Sequence, residues 1–271
     1  MKPTKAELTD YLAFATSLAH EAGDVMRRYF GNDPDSEFKE DDTIVTVADK
    51  EINDLVIERV RTKYPGQAVD GEEASHVQKS DVVWVCDPID GTNPFAMELP
   101  VSVFSLALVM DGTPVVGVIY HPFTDKLYTA TFGGGAFINE KPLHVSVGQL
   151  DTAARVNFDW WPRAEYDILA PLQKLSQDKG FYLLSPGSTT HMAALVARGE
   201  FVASVFPGTK GKNVDIAAAK VIVEEAGGRV TDLFGNEQRY DKDITGAIIS
   251  NGVVHDVLVQ TFEATLQRKR E

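Results

Sequence analysis

The run Asp87-Pro88-Ile89-Asp90-Gly91-Thr92 places two carboxylates, a backbone carbonyl, a glycine and a hydroxyl within six residues, directly after the apolar stretch Trp84-Val85-Cys86. Hard cations such as Mg²⁺ take oxygen ligands in clusters of this kind. A helix starting beside the cluster would offer N–H groups and the positive end of its dipole to a phosphate. The chemistry indicated is metal-assisted cleavage of a phosphate ester. Taken alone, the same residues also read as an Asx turn, since Asp-Pro and Asp-Gly are frequent turn pairs. Two carboxylates so close repel unless a cation holds them, which favours the functional reading. Their i, i+3 separation across a proline differs from the i, i+2 spacing of aspartate-nucleophile phosphatases. It favours metal-activated water over a covalent aspartyl phosphate.

Other acidic residues are candidates to join the cluster. Asp70-Gly71-Glu72-Glu73-Ala74 follows a strand expected over 67–69. Glu72 and Glu73, at that strand's end, suit a second metal ligand and a base partner, or else a solvated acidic loop. Asp49 has capping-box spacing from Thr46, with Asp in the usual Glu or Gln place, and this structural role stands level with a catalytic one. Asp215 opens an apolar helix, either to complement the helix dipole or as a further ligand.

The elements that must position these residues are α/β in pattern. Apolar residues at helical spacing predict a long helix over the first thirty residues and a second over 47–64. Asp87 is expected just past the end of a strand at 82–86, where α/β proteins usually place ligands. Pro88 holds Cys86 and Asp87 out of helical geometry. Asn93 and Pro94 read as the cap and first position of a short helix. Segments 102–110 and 114–120 flank Asp111-Gly112-Thr113, a hairpin signal. Segments 127–131 and 136–139 flank Gly133-Gly134-Gly135, which reads as a bare turn in preference to a phosphate cradle. Beyond a seam near 147–153, strands at 155–158, 182–184, 201–206, 229–232 and 247–250 alternate with helices at 166–177, 190–197, 215–226 and 255–267. Two halves follow, 1–150 carrying most acidic candidates and 151–271 contributing Asp215.

Composition narrows the classes. The chain has 271 residues, a net charge of −14 and one cysteine, Cys86. The acidic balance argues against nucleic acid as a partner. No apolar stretch approaches the roughly 20 residues needed to span a bilayer. The N-terminal residues lead into an amphipathic helix with no apolar secretory segment. A lone cysteine excludes an internal disulfide and fits a cytoplasmic location. The six histidines lack zinc-ligand spacing, and neither a Gly-x-Ser-x-Gly elbow nor a Walker-type loop is present. Cys86 reads as a buried strand residue. Trp160-Trp161-Pro162 would pack in the core, between subunits or at a substrate mouth.

Five segments in one order carry a family resemblance across nearly the whole chain. They are 42–49 (Asp-Thr-Ile-Val-Thr-Val-Ala-Asp), Gly71-Glu72-Glu73, Asp87-Pro88-Ile89-Asp90-Gly91-Thr92, Gly135-Ala136-Phe137-Ile138-Asn139, and Val214-Asp215-Ile216-Ala217-Ala218 continuing to Glu225-Ala226-Gly227-Gly228. Together they resemble the inositol monophosphatase family of Mg²⁺-dependent, lithium-sensitive phosphatases. The resemblance implies an αβαβα layered sandwich of the inositol monophosphatase and fructose-1,6-bisphosphatase type, assembled as a homodimer. It implies that Glu72, Asp87 and the Ile89 carbonyl hold one Mg²⁺ and that Asp87, Asp90 and Asp215 hold a second. A third, weaker ion lies near Glu72, giving two to three per subunit, with Li⁺ inhibitory. Asp49 and Thr92, with Glu72, would activate the attacking water. Gly91 and Thr92 would hold the phosphate through backbone N–H groups. Asp90, Ser188 and Thr189 would contact the substrate, although Ser188 also reads as a helix cap.

Departures bear on the substrate. Asn93-Pro94-Phe95 stands where Thr-Asn-Phe is usual, and Val214 stands where Trp is common. Residues 207–212 replace a carboxylate that grips inositol hydroxyls. Lys210 and Lys212 are either a solvated loop or contacts to a second anionic group. The expected activity is hydrolysis of a small phosphorylated metabolite resembling inositol monophosphate. Histidinol phosphate, fructose 1,6-bisphosphate and 3′-phosphoadenosine 5′-phosphate are alternatives, and a non-catalytic regulator on the same fold is a different class of function.

Overall fold

The protein is described by a computed structural model covering residues 3–32, 36–38, 44–161, 164–208 and 213–266. In chain order the elements are α1 (Lys5–Tyr29), β1 (Ser36–Phe38), β2 (Ile44–Thr46), α2 (Val47–Lys63), β3 (Ala68–Gly71), β4 (Val82–Asp90), α3 (Thr92–Ala96), β5 (Val103–Met110), β6 (Thr113–His121), β7 (Lys126–Thr131), β8 (Gly135–Ile138) and β9 (Lys141–Pro142). There follow β10 (Arg155–Phe158), α4 (Leu169–Lys179), β11 (Tyr182–Leu184), α5 (Thr189–Ala197), β12 (Ala203–Phe206), α6 (Asn213–Glu225), β13 (Arg229–Thr231), β14 (Ala247–Ser250) and α7 (His255–Thr265).

Side-chain alternation along the strands decides the layering. On β4, Trp84 and Cys86 join one apolar core with α1 and α2, whereas Val85 joins another with α5 and α6. On β5, Phe104, Leu106 and Leu108 face the first core, and Val103, Ala107 and Val109 the second. Strands buried on both faces must be covered twice, and they read as continuous apolar runs. Strands β3 to β9 form one seven-stranded sheet in sequence order, with β3 parallel to β4 and the remaining pairs antiparallel. A second, five-stranded sheet runs β11-β10-β12-β14-β13, with β10, β11 and β12 parallel. A third core, including Leu172 of α4 and Leu258 and Phe262 of α7, covers its far face. The stack is therefore α1/α2, sheet, α5/α6, sheet, α4/α7, the αβαβα order.

Three local features differ from the sequence expectation. First, β4 does not stop at Cys86. It pairs with β5 through Asp87 opposite Ser105 and resumes at Asp90 opposite Val103, with a register shift between. Pro88, which has no N–H to give a ladder, sits in that bulge. Second, α3 begins two residues earlier than Asn93 would allow as a cap. Gly91 is the N-cap, at φ 87°, and Asn93 and Pro94 lie inside the helix. A Cβ on Gly91 would lie 3.0 Å from the Gly187 carbonyl oxygen and 3.1 Å from Ser188 Cβ, so the position also needs a residue without one. Third, the Gly133-Gly134-Gly135 turn is not bare. Its N–H groups at Gly133 and Gly135 donate to the Glu225 carboxylate at 2.6 and 2.8 Å. The anion it cradles is supplied by the last residue of α6, which locks that helix to the β7–β8 hairpin.

Trp161 packs on Phe206 with ring centroids 5.3 Å apart, whereas Trp160 is half exposed. Cys86 is a free, buried thiol, and burial raises its pKa well above the usual value. Glu225→Ala removes two charge-assisted hydrogen bonds across the sheet–helix junction and is expected to lower unfolding stability by about 2 kcal/mol. Urea unfolding checks this, and an unchanged midpoint would show that the junction is held by packing alone.

Candidate metal centre and its acid–base pair

Parity along β4 aims the two aspartates. Asp87 is two residues past Val85 and so falls on the middle-layer face, toward α6. A regular strand would send Asp90 to the opposite face, three residues on. The bulge shifts the alternation by one: Ile89 enters the α1/α2 core, and Asp90 returns to Asp87's face. Asp215 comes from the other side, in the first turn of α6. One carboxylate oxygen from each of Asp87, Asp90 and Asp215 lies within 4.8 Å of the other two, and all three residues are buried. A buried, all-oxygen, triply anionic donor set fits a hard divalent cation, whose charge offsets the mutual repulsion.

The surroundings of Asp90 disfavour its charged form. Burial raises its carboxyl pKa to about 7, and the negative charges of Asp159 and Glu72 push in the same direction. Two donors oppose the shift: the Ser188 hydroxyl and the Thr190 N–H, the latter at 3.0 Å from Oδ2. Ser188 is also the N-cap of α5, accepting from the His191 N–H at 3.3 Å. Thr189 donates from Oγ1 to Asp159 Oδ2 at 2.8 Å, and Thr190 from Oγ1 to the Asp215 carbonyl at 2.7 Å.

Asp49 and Thr92 meet 43 positions apart in sequence. Asp49 completes the expected capping box with one carboxylate oxygen and turns the other toward Thr92. Its Oδ2 accepts the Thr46 N–H at 2.8 Å and the Thr46 hydroxyl, completing a capping box on α2. Its Oδ1 accepts the Thr92 hydroxyl at 3.3 Å, a hydroxyl also 3.1 Å from the Ile89 carbonyl oxygen. Burial raises the Asp49 carboxyl pKa to about 7, aided by the charges of Glu73 and Glu72 and opposed by the Thr46 donors. A carboxyl poised near neutrality suits general acid–base work.

Glu72 is half-buried at the end of β3, and its N–H donates to the Cys86 carbonyl at 3.1 Å, which carries the β3–β4 pairing one residue further. Gly71 permits this entry, because a Cβ there would lie 2.2 Å from Asn53 Oδ1 and 2.5 Å from the Ala74 carbonyl oxygen. Asn53 Nδ2 donates to that same Ala74 carbonyl at 2.9 Å, tying the Glu72–Glu73 loop to the helix that carries Asp49. Gly91 fixes the turn at the other end of the cluster, and its carbonyl accepts from Ser102 Oγ at 2.8 Å.

The structure thus brings Asp87, Asp90 and Asp215 together, pairs Asp49 with Thr92 beside the Ile89 carbonyl, and sets Ser188 against Asp90. Lys210 and Lys212 lie outside the described residues. Sequence reasoning missed Asp159, Ser102, Asn53 and Thr190. The only trace of Asp159 was an isolated acid directly after a strand, which spacing cannot distinguish from a turn residue. Burial and the neighbouring Asp215 charge raise the Asp159 carboxyl pKa to about 6.

The comparisons agree with this architecture. The model of the inositol monophosphatase family matches residues 7–267. An inositol monophosphatase from Mesembryanthemum crystallinum is 30% identical over 264 residues, covering 94% of this chain and 97% of its own. A histidinol-phosphatase from Chlorobaculum parvum is 32% identical over 253 residues, covering 91% and 94%. Among solved structures, the inositol monophosphatase of Thermotoga maritima superposes with a TM-score of 0.84 at 29% identity, covering 94% of this chain and 97% of that one. With family model, relatives and fold in accord, the chain belongs to the inositol monophosphatase family, a family of phosphoric monoester hydrolases.

Proposed function

We propose that this protein is a Mg²⁺-dependent phosphomonoesterase that hydrolyses a small phosphorylated metabolite by in-line attack of water, without a covalent enzyme intermediate. The observation that carries the reading is the convergence of Asp87, Asp90 and Asp215 from two elements on opposite sides of one buried point. In this reading Glu72, Asp87 and the Ile89 carbonyl hold one Mg²⁺, and Asp87, Asp90 and Asp215 a second, with a third ion near Glu72 and Li⁺ inhibitory. Bound there, Mg²⁺ would neutralise phosphate oxygens, lower the pKa of water and steady the leaving alkoxide.

The protein's own groups do the rest. The Thr92 hydroxyl proton is directed at Asp49 and the Ile89 carbonyl, which leaves a Thr92 lone pair to accept from an attacking water. Asp49, with its pKa near 7, takes the water's proton at Oδ1, and the nearby Glu72 and Glu73 charges keep that oxygen basic. The Gly91 and Thr92 N–H groups, at the start of α3, hold the phosphate. Asp90, Ser188 and Thr189 line the substrate side, and Lys210 would add a cationic contact.

The 1–150 half supplies the water-activating pair and most ligands, and the 151–271 half supplies Asp215 and the substrate side. An inositol monophosphate-like ester is the substrate class. Histidinol phosphate, fructose 1,6-bisphosphate and 3′-phosphoadenosine 5′-phosphate are the alternatives, because no carboxylate in 207–212 grips a polyol. A cytoplasmic homodimer is the assembly we infer. Consistent with this, Cys86 is a free thiol, and among the described residues no helix is long and apolar enough to cross a membrane.

Asp87→Asn is expected to reduce Mg²⁺-stimulated phosphate release to background on a panel of these esters, with far-UV circular dichroism unchanged. Normal turnover in that variant would refute the ligand assignment. A second expectation concerns pH. Asp49 and Asp90 have folded-state pKa values of about 7, above the unfolded value near 4. In metal-free protein they contribute stability that is fully present below about pH 4 and is lost as pH rises through about 7. Mg²⁺ would replace the Asp90 proton, and its charge would favour ionised Asp49 beside the centre, so the Mg²⁺-induced rise in melting temperature should be small at pH 5 and large at pH 8. An increment independent of pH would count against cation binding at the centre that contains Asp90.

A further inference from the structure

Three consecutive hydroxyls at the start of α5 each reach a different acidic segment. Ser188 donates to the Asp90 carboxylate. Thr189 Oγ1 donates to Asp159 Oδ2 at 2.8 Å. Thr190 Oγ1 donates to the Asp215 carbonyl at 2.7 Å, and the Thr190 N–H donates to Asp90 Oδ2 at 3.0 Å. Three of these four bonds end on residues of the metal centre. The fourth ends on Asp159, which the proposed reaction does not use.

Asp159 is an unusual residue to bury there. It is 6% exposed, directly after β10, and its N–H is pinned to the Val205 carbonyl at 3.0 Å. A further carboxylate near Asp90 and Asp215 adds repulsion to a site already crowded with negative charge. The arrangement persists with Thr189, 8% exposed, as its hydroxyl partner. Thr189 and Thr190, successive helical residues, point about 100° apart, and Ser188, the extended N-cap, adds a third direction, so the three hydroxyls restrain the start of α5. Threonine is stiff at χ1, so a hydroxyl held on one side limits how far its backbone can rotate.

We propose that Asp159 is a positioning residue for the metal centre: by accepting from Thr189 it fixes the first turn of α5, and so sets Ser188 against Asp90 and Thr190 against Asp215. The inference rests on the metal-dependent phosphatase reading. Groups that orient metal ligands from behind typically change affinity by about 10- to 100-fold when removed.

The test is Mg²⁺ binding by isothermal calorimetry on the full chain, which needs no turnover. Thr189→Val and Asp159→Leu should each weaken Mg²⁺ binding about tenfold or more. The double variant should be no weaker than the worse single one, because both remove one link. Asp159→Asn, which keeps an oxygen for Thr189 to donate to, should fall closer to wild type than Asp159→Leu. It also supplies the second arm if Asp159→Leu does not fold. A merely structural role would lower the unfolding midpoint and leave the Mg²⁺ isotherm of the folded protein unchanged. Unchanged affinity in Thr189→Val, additive losses in the double variant, or Asp159→Asn as weak as Asp159→Leu would each overturn the proposal. If the wild type binds Mg²⁺ and the variants match it, the positioning role fails and the phosphatase reading stands. A wild type that neither binds Mg²⁺ nor releases phosphate from the ester panel sinks the reading itself.

Discussion

Like charges held in a small dry space are the constraint around which this protein is arranged. At separations of under 4.8 Å, each pair of ionised carboxylates repels by about 3–4 kcal/mol at the effective dielectric of a protein site. Three such pairs rival the whole stability of a domain, about 5–15 kcal/mol. Asp87, Asp90 and Asp215 therefore need protons or cations to coexist. Held by protons, the site is inert toward phosphate. Held by a divalent cation, as proposed, the same carboxylates would become the means of binding an anionic ester to a protein of net charge −14. The acidic balance of the chain and its anionic substrate class are compatible for this reason.

Groups around the cluster also have structural duties. Ser188 caps α5 and donates to Asp90. Asp49 completes a capping box with one oxygen and receives Thr92 with the other. The Gly91 carbonyl accepts both the Phe95 N–H of α3 and the Ser102 hydroxyl. In each case a helix terminus, which must find partners for its free backbone groups in any event, is the place where a functional side chain is fixed. The proposed site is thereby placed on rigid elements, which hold geometry better than free loops do.

Much of this was legible in the sequence, and what was not has a physical reason. The order of strands and helices in the second half followed from periodicity and glycine stops. Strands over 155–158, 182–184 and 247–250 fall where they were expected. The Asp87–Thr92 run stood out because its carboxylates, proline and glycine are close in sequence. The bulge after Asp87 was hidden, because Pro88 reads equally as a turn after a finished strand or as an irregularity within a continuing one. Only the pairing of Asp90 with Val103 separates the two. Asn93 read as a cap because cap statistics favour Asn before Pro, but the backbone reverses two residues earlier at Gly91, at φ 87°. Glu225 meeting Gly133 and Gly135, about ninety residues away, leaves no trace in local patterns. Asp159 was invisible for the same reason: its partner, Thr189, is thirty residues on and in another element.

The remaining question is how one aspartate at a helix start is held in place against two on a strand. Helix α6 is tied at three levels. At its first residue, Asn213 Nδ2 donates to Asp70 Oδ2 at 2.8 Å and to the Tyr240 carbonyl at 3.0 Å. Midway, the buried Lys220 ammonium donates to the Val230 carbonyl at 3.0 Å and to Glu224 and Glu237 at 2.6 and 2.7 Å. At its last residue, Glu225 sits in the glycine turn. A slip of one residue would move Asp215 about 1.5 Å along the axis and turn it about 100° away from Asp87. Cation sites tolerate far less than that. The Asp70–Asn213 bond has a further consequence, since Asp70 lies two residues before Glu72 on β3. The strand that delivers Glu72 and the helix that delivers Asp215 are thus joined directly. An error in one would be transmitted to the other, so contacts outside the site help to fix the spacing across it.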